Sequence, residues 1–363
     1  MIALVQVALP LLAIQFGASP HFLGLLGWTA QSVRLPVCLA SGALSEKIGR
    51  TTVIFPSAVL ACIACLGLSF SQNNAEILII YILFMASIGA FYPSLQAFIG
   101  DRSPIGELRK NLSAFNAGWT IGGATCGLVA GYTFAKSRGL PFEIGALFVA
   151  LVIILVYAWH KTYTYMQHSD SKGLSPSAGP SPGPLLAIAR MGHFLGFFAY
   201  AAARQLFPKL AVELGMKPGE IGLLVGMLLV GQALGIAVAG AGPWWRGKLW
   251  PLLLAQGMVL VSGLVVFYTS IAAFFASAFL IQGVGLGIAY TAALYYGLQA
   301  RINMGRNTGI HESLVAGGNI LGSLVGGETA EMISLRAPYM ATAIFAALLM
   351  LSGLVYWHSN RQR

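Results

Sequence analysis

Apolar runs, each about as long as a helix needs to cross a hydrocarbon layer roughly 30 Å thick, succeed one another along almost the entire chain with short polar loops between them. Read for length and helical period, they predict spans near residues 1–17, 20–44, 52–71, 76–99, 112–135, 141–159, 185–212, 218–242, 249–268, 270–299, 307–332 and 337–358. The reading is twelve helices, six in each half. One stretch fits no helix: residues 160–184, HKTYTYMQHSDSKGLSPSAGPSPGP, are dominated by Ser, Gly and Pro. Such a segment buries too little apolar surface to fold alone. It is expected to link a first bundle, residues 1–159, to a second, residues 185–363.

The pattern also repeats. Residues 9–26 read LPLLAIQFGASPHFLGLL and residues 207–224 read FPKLAVELGMKPGEIGLL. Pro10, Gly17, Pro20 and Gly24 thus match Pro208, Gly215, Pro218 and Gly222, an offset of 198, and the same offset pairs Gly89 and Tyr92 with Gly287 and Tyr290. Two homologous apolar halves in tandem are the pattern of a transporter built from pseudo-symmetric bundles. The repeat also predicts a defect: Met1 matches Ala199, whereas the seventh helix begins near Leu185. The first helix is therefore expected to lack about 10–15 residues of a comfortable span, through a misplaced start or a natural truncation. It carries no basic region of the kind that opens a signal peptide.

Composition agrees with lipid as the solvent. The chain has 363 residues, 57% hydrophobic and only 9% charged, against about 25% charged in soluble domains. The net charge of +10 does not point to nucleic acid, because the bases lie in short loops between spans. One set of loops and the C-terminal tail hold Lys47, Arg50, Arg102, Arg109, Lys110, Lys161, Lys172, Arg246, Lys248, Arg301, Arg306, Arg361 and Arg363; the opposite set holds Lys136, Arg138, Lys209, Lys217 and Arg336. The richer side is expected to face the cytosol, with both termini there and the chain in a bacterial plasma (inner) membrane. Cys38, Cys62, Cys65 and Cys126 lie inside apolar runs and read as small packing residues.

Between the second and third spans stands Gly42-Ala43-Leu44-Ser45-Glu46-Lys47-Ile48-Gly49-Arg50. It resembles the cytoplasmic loop signature of the major facilitator superfamily, G-x-x-x-D-R-x-G-R, with Glu for Asp and Lys for the first Arg. Gly42 is suited to close helix approach, and Gly49 to a tight turn. Glu46 is placed to face the N-terminus of the eleventh helix, and Arg50 to pair with Glu46. These residues form the expected cytoplasmic gate: Gly42, Glu46, Lys47, Gly49 and Arg50. The second-half copy keeps Gly240, Gly247 and Lys248 but has Trp244 at the acidic position. In the fifth helix Gly123, Gly127 and Gly131, and at an offset of 195 in the eleventh Gly318, Gly322 and Gly326, are similar to the superfamily's exporter signature without its proline. Small residues at this spacing also make a plain close-packed seam.

Ionisable and polar residues deep in lipid are costly and so are candidates for function. Arg34 in the second helix has Gln232 as its repeat mate, and Arg204 in the seventh has Gln6. Arg34, Gln232, Arg204, Tyr92 and Tyr290 are the substrate-cavity candidates, since guanidinium groups bind carboxylate or phosphate and tyrosine both stacks and hydrogen-bonds. Gln96, Trp119 and Tyr295 lie on helices four, five and ten. His311 and Glu312 open the eleventh helix and are the proton-coupling candidates; His193 is a weaker one. Gly242 to Leu249 nearly spells a phosphate-binding loop but lacks its Ser/Thr, so no ATP-driven pump is implied.

The resemblance implies an all-α membrane protein with the major facilitator fold, its twelve helices in two pseudo-symmetric six-helix bundles around one midplane cavity. It implies a secondary transporter of a small molecule, working by alternating access and driven by protons or by exchange. It is not an enzyme, and no cofactor, metal or nucleic acid is called for; a monomer in a lipid bilayer is expected. The alternative is a non-transporting membrane sensor or assembly protein that keeps the fold.

Overall fold

The computed structural model describes residues 1–101, 108–162, 183–299 and 304–361. It contains α1 (Ile2–Gln15), α2 (Pro20–Ile48), α3 (Arg50–Phe70), α4 (Asn74–Asp101), α5 (Leu108–Lys136), α6 (Leu140–Thr162), α7 (Gly183–Glu213), α8 (Pro218–Gly240), α9 (Trp250–Tyr268), α10 (Ala272–Gln299), α11 (Met304–Met332) and α12 (Ala337–Arg361). Among the described residues the chain is helical throughout, with no strand. The proposed linker lies mostly outside the described residues; its first positions continue α6 and its last begin α7.

The repeat is visible in local geometry. The chain turns with positive φ at Gly17 (74°) and at its mate Gly215 (78°), and again at Gly49 (97°) and its mate Gly247 (72°). These are conformations that a Cβ makes costly. Pro20 and Pro218 then open α2 and α8 at the first helical position, where a missing N–H costs nothing. In the first half the Ser19 hydroxyl caps by accepting from Phe22 N at 3.2 Å. In the second, the Glu220 carboxylate accepts from Lys217 N at 2.8 Å. Both α1 and α7 stop at matched residues, but α1 has 14 residues and α7 has 31.

Among the described residues nine helices are long and apolar enough to cross a membrane; α1 is shorter, and α5 and α11 are not among the nine. The reason lies in where they sit. Leu39, Ile63, Phe70, Leu155 and Leu348 are exposed, an arrangement that only lipid satisfies. By contrast α5 and α11 pack against the opposite half, α5 on α8 and α11 on α2, and so need small or polar residues rather than a lipid-facing stripe.

Within each half the pairings recur six helices on: α2–α4 with α8–α10, α3–α6 with α9–α12, and α1–α5 with α7–α11. The two crossings between halves are related in the same way. A Cβ on Gly131 would strike Pro218 O and the backbone of Gly222, and one on Gly327 would lie 2.9 Å from Gly24 Cα and 3.2 Å from Pro20 O. Since Pro218 and Gly222 are the mates of Pro20 and Gly24, Gly131 corresponds to Gly327. The α5–α11 offset is therefore 196 rather than 195, which corrects the register read from the glycine pattern. Gly318 and Gly322 instead seat α11 against α7, on Phe194 and Phe198, and Gly326 meets Leu206. Gly127 joins the inter-half crossing through Leu229 and Gly226. Gly123 makes no seam: no described atom lies within 4 Å of its Cβ direction, and the same holds for Gly42, Gly118 and Gly122.

Both crossings lie toward the end of the molecule that carries the α1–α2 and α7–α8 turns, here the far end. The opposite, basic end carries the α2–α3 and α8–α9 loops. At the far end His21 Nδ1 on α2 also meets Glu328 Oε1 on α11 at 2.7 Å, and the Glu331 carboxylate accepts from His21 N at 3.1 Å. Toward the basic end α5 shows the reverse, with Gly118, Trp119, Ile121 and Gly122 all exposed. Among the described residues the crossings between the halves lie toward the far end.

This contrast is testable. Gly131→Leu should lower thermal stability of the solubilised protein by about 1–3 kcal/mol, the usual cost of overpacking, whereas Gly123→Leu should leave the melting curve where it is. Equal effects would contradict the assignment of Gly131 to the crossing.

Candidate functional site

The polar side chains inside the bundle fall into two layers. At 1.5 Å per helical residue, Arg204 lies about 14 Å from the far end of α7, and His193 about 30 Å. The same count places Tyr92 and Tyr290 about 27 Å along α4 and α10, and Arg34 about 21 Å along α2.

The layer nearer the basic end draws on both halves. His193 on α7 and His311 on α11 are stacked, with ring centroids 4.2 Å apart and planes inclined by 14°. Tyr290 meets His311 edge-on at 4.7 Å and His193 at 5.5 Å. Both imidazoles are buried, and none of their four ring nitrogens has a hydrogen-bond partner. Across the gap, Tyr92 packs on Phe91 at 5.6 Å and on Phe115 at 6.3 Å and stands beside Trp119. Arg34 links the two sides electrostatically, since its charge acts on Tyr92 and Cys38 in its own half and on Glu312 in the other. Its nearest hydrogen-bond acceptor is Gln31 Oε1 at a long 3.5 Å, and its Nε has none. No direct ion pair between Arg34 and Glu312 is among the described contacts.

The second layer is closed. Arg204 is 3% exposed, and its Nη1 donates to Gln6 Oε1 at 2.6 Å. These two are repeat mates, so the bond runs between equivalent positions of α1 and α7 across the pseudo-twofold axis. The guanidinium lies 5.0 Å from the centre of the Tyr200 ring, and Tyr81 is near enough to feel both Arg204 and Arg34. Gln232, the mate of Arg34, is buried where α10 crosses α8. There Gly287 clears the Gln232 carbonyl as Gly89 clears that of Arg34. Its backbone lies in the α8–α10 seam, against Gly283 and Gly287.

Of the sequence candidates, Arg34, Tyr92, Tyr290, His311 and Glu312 are brought together and Arg204 lies one layer deeper. His193 is promoted by its stack on His311. Tyr295 is removed from the group, because it joins Trp245, Tyr296 and Arg246 at the basic end. Sequence reading missed Tyr81 and Tyr200. A lone Tyr in an apolar run has no pattern that distinguishes it from a packing residue.

The loop motif takes two forms. In the first half Arg50 Nη2 lies 3.9 Å from Glu46 Oε1 and Arg50 Nη1 donates to Ser45 Oγ at 2.8 Å. Lys47 is exposed beside them, and so is Gly49 at the turn. With Glu46 70% exposed, this pair alone contributes about 0–1 kcal/mol. In the second half the charges are replaced by indoles. Trp245 is buried and donates to Ala239 O at 2.8 Å, Trp244 donates to Val238 O at 3.0 Å, and Tyr296 Oη accepts from Gly247 N at 2.9 Å.

The family model described as Major Facilitator Superfamily matches residues 1–293. The chain belongs to that superfamily. Curated relatives agree with this membership. An uncharacterized MFS-type transporter, YttB of Bacillus subtilis, is 23% identical over 88% of this chain and 81% of its own length. The multidrug resistance protein MdtG of Proteus mirabilis is 24% identical over 99% of this chain and 92% of its own. Among solved structures, a bacterial homolog of the human lysosomal transporter Spinster, inward-facing and occupied, aligns with TM-score 0.78 at 14% identity, over 98% of this chain and 93% of that one. The nucleoside transporter NupG aligns with TM-score 0.75 at 11% identity, over 98% of both chains. At such identities the structural likeness establishes the fold. The protein is an integral membrane protein of a transporter superfamily.

If Arg34 and Glu312 interact across the cavity, Arg34→Gln and Glu312→Gln should be non-additive in a double-mutant cycle on thermal stability. A coupling of about 0.5–3 kcal/mol is expected for neighbouring groups. Strict additivity would show that the two charges are independent.

Proposed function

We propose that this protein is a secondary active transporter that moves a small molecule by alternating access, the two halves rocking about the α2–α11 and α5–α8 crossings. One observation supports this reading: polar and aromatic side chains of both halves lie on the basic side of the crossings, among them the stacked His193 and His311 with Tyr290 in one half and Tyr92 in the other. By the distribution of Lys and Arg, the basic end faces the cytosol, with both termini on that side of a bacterial plasma membrane. The conformation described is then open inward. The rocking motion would bring the Glu46–Arg50 loop toward α11 as the basic end closes, which supports the gate role proposed for Gly42, Glu46, Lys47, Gly49 and Arg50. A single chain contains the whole layer, which is consistent with a monomer.

Energy coupling is assigned to Glu312 with His311. Glu312 is the carboxylate of that layer on which the Arg34 charge acts, and His311 sits next to it on α11 with its imidazole unpartnered. A carboxyl group facing water alternately from each side, beside an arginine that competes with the proton, has the properties of a coupling site.

Two measurements test the proposal. Ser323, fully buried in the α2–α11 crossing, changed to Cys after replacement of the four native cysteines, should react with an impermeant maleimide only from the far side. The labelling rate should change when transported compound is added. Protection under every condition would rule out rocking at this crossing. In proteoliposomes, Glu312→Gln should abolish accumulation driven by a pH gradient while leaving substrate exchange intact. If the variant keeps the wild-type pH response, Glu312 is not the coupling group; if a folded wild-type chain moves no compound at all, the protein is a sensor or assembly partner on a transporter fold.

A further inference from the structure

The buried layer around Arg204 has an incomplete set of partners, and the missing one has a definite shape. Among the described residues Arg204 has no carboxylate partner, and its Nε and Nη2 atoms have no acceptor although both are shielded from solvent. Its remaining donor, Nη1, is held by Gln6 Oε1 at 2.6 Å. The Gln6 amide is oriented in turn by its contact from Nε2 to Met85 Sδ at 4.0 Å. Gln6 therefore fixes the plane of the guanidinium and leaves one edge free.

That edge is specific. In arginine the Nε–H and one Nη2–H point the same way along one side of the plane, a fork that matches the two oxygens of a carboxylate. A buried guanidinium without a counter-ion is costly, and the described residues supply none in contact with it: Glu312 is eleven residues from Ser323 along α11, about 16 Å nearer the basic end. The surroundings favour an anion with an apolar body. Tyr200 offers a ring face beside the guanidinium, and Arg34 adds a second positive charge near Tyr81. Tyr92 and Tyr290 line the layer below.

We propose that Arg204 seats the carboxylate of an aryl or similarly apolar monocarboxylate through its Nε/Nη2 fork, with Gln6 as the positioning residue. This names the substrate class and rests on the transporter reading above. The fork is sealed in the described conformation, so capture and release require movement of the halves. Because Gln6 and Arg204 belong to different halves, occupation of the fork bears directly on how the halves meet.

The test reads binding rather than flux, so that it can fail independently of transport. Thermal unfolding of the full-length, detergent-solubilised protein is followed with benzoate, benzamide, benzylammonium and inorganic phosphate, since a ligand of the folded state raises the midpoint. Benzoate should raise it, and the other three should not. Arg204→Gln should remove the shift, and Arg204→Lys, which keeps the charge but not the fork, should reduce it. Gln6→Glu places a carboxylate on Arg204 from within; it should raise the midpoint of the unliganded protein and remove the benzoate response, which keeps the test decisive if Arg204→Gln does not fold. Equal stabilisation by benzamide or benzylammonium, no stabilisation by benzoate, or a benzoate response surviving Arg204→Gln or Gln6→Glu would overturn the inference and leave the transporter reading to the flux experiment. A phosphate effect matching that of benzoate would overturn the carboxylate assignment.

Discussion

Two backbone-to-backbone contacts, Gly24 on Gly327 and Gly131 on Gly222, decide how the halves of this molecule meet. In lipid no hydrophobic force draws helices together, so association depends on close packing and polar contact. At both crossings a glycine faces a glycine, and any Cβ would force the helices apart. The two contacts are equivalent under the repeat and lie near the far end.

That geometry explains why the interior holds its charges in two different ways. Arg34 lies nearer the basic end, and Gln31 Oε1 accepts from it only at a long 3.5 Å. Arg204 lies closer to the crossings and is held by its own repeat mate. The Gln6–Arg204 bond crosses the axis between matched positions of α1 and α7. Substitution at one of two equivalent sites has turned a symmetric position into a donor–acceptor pair.

The loops between the second and third helices of each half show the same divergence. The charged motif, with an exposed Glu46, is held by weak and screened interactions. Its counterpart is fixed by two indole N–H donors and a ring of aromatic contacts around Trp245. Both keep the positive-φ glycine at the turn, Gly49 and Gly247. Backbone shape is retained while the side-chain chemistry differs.

The helices, their number and their relation by an internal repeat were legible in the sequence because each rests on local physics: apolar length, turn glycines such as Gly17 and Gly215, and helix-opening prolines such as Pro20 and Pro218. The candidates Arg34, Tyr92, Tyr290, His311 and Glu312 were legible for a related reason, since a polar group inside an apolar run stands out wherever it ends up. What no local pattern contained was which residues share a face across helices distant in sequence. The glycines of α5 and α11 look equivalent at an offset of 195, yet the two crossings make Gly131 the counterpart of Gly327, because the register is set by the partner helix and by loops of unequal length. The stack of His193 on His311, the bond from Arg204 to Gln6, and the departure of Tyr295 to the Trp245 cluster are likewise decided by how helices lean together. Periodicity determines what a helix presents; only tertiary packing determines what it is presented to.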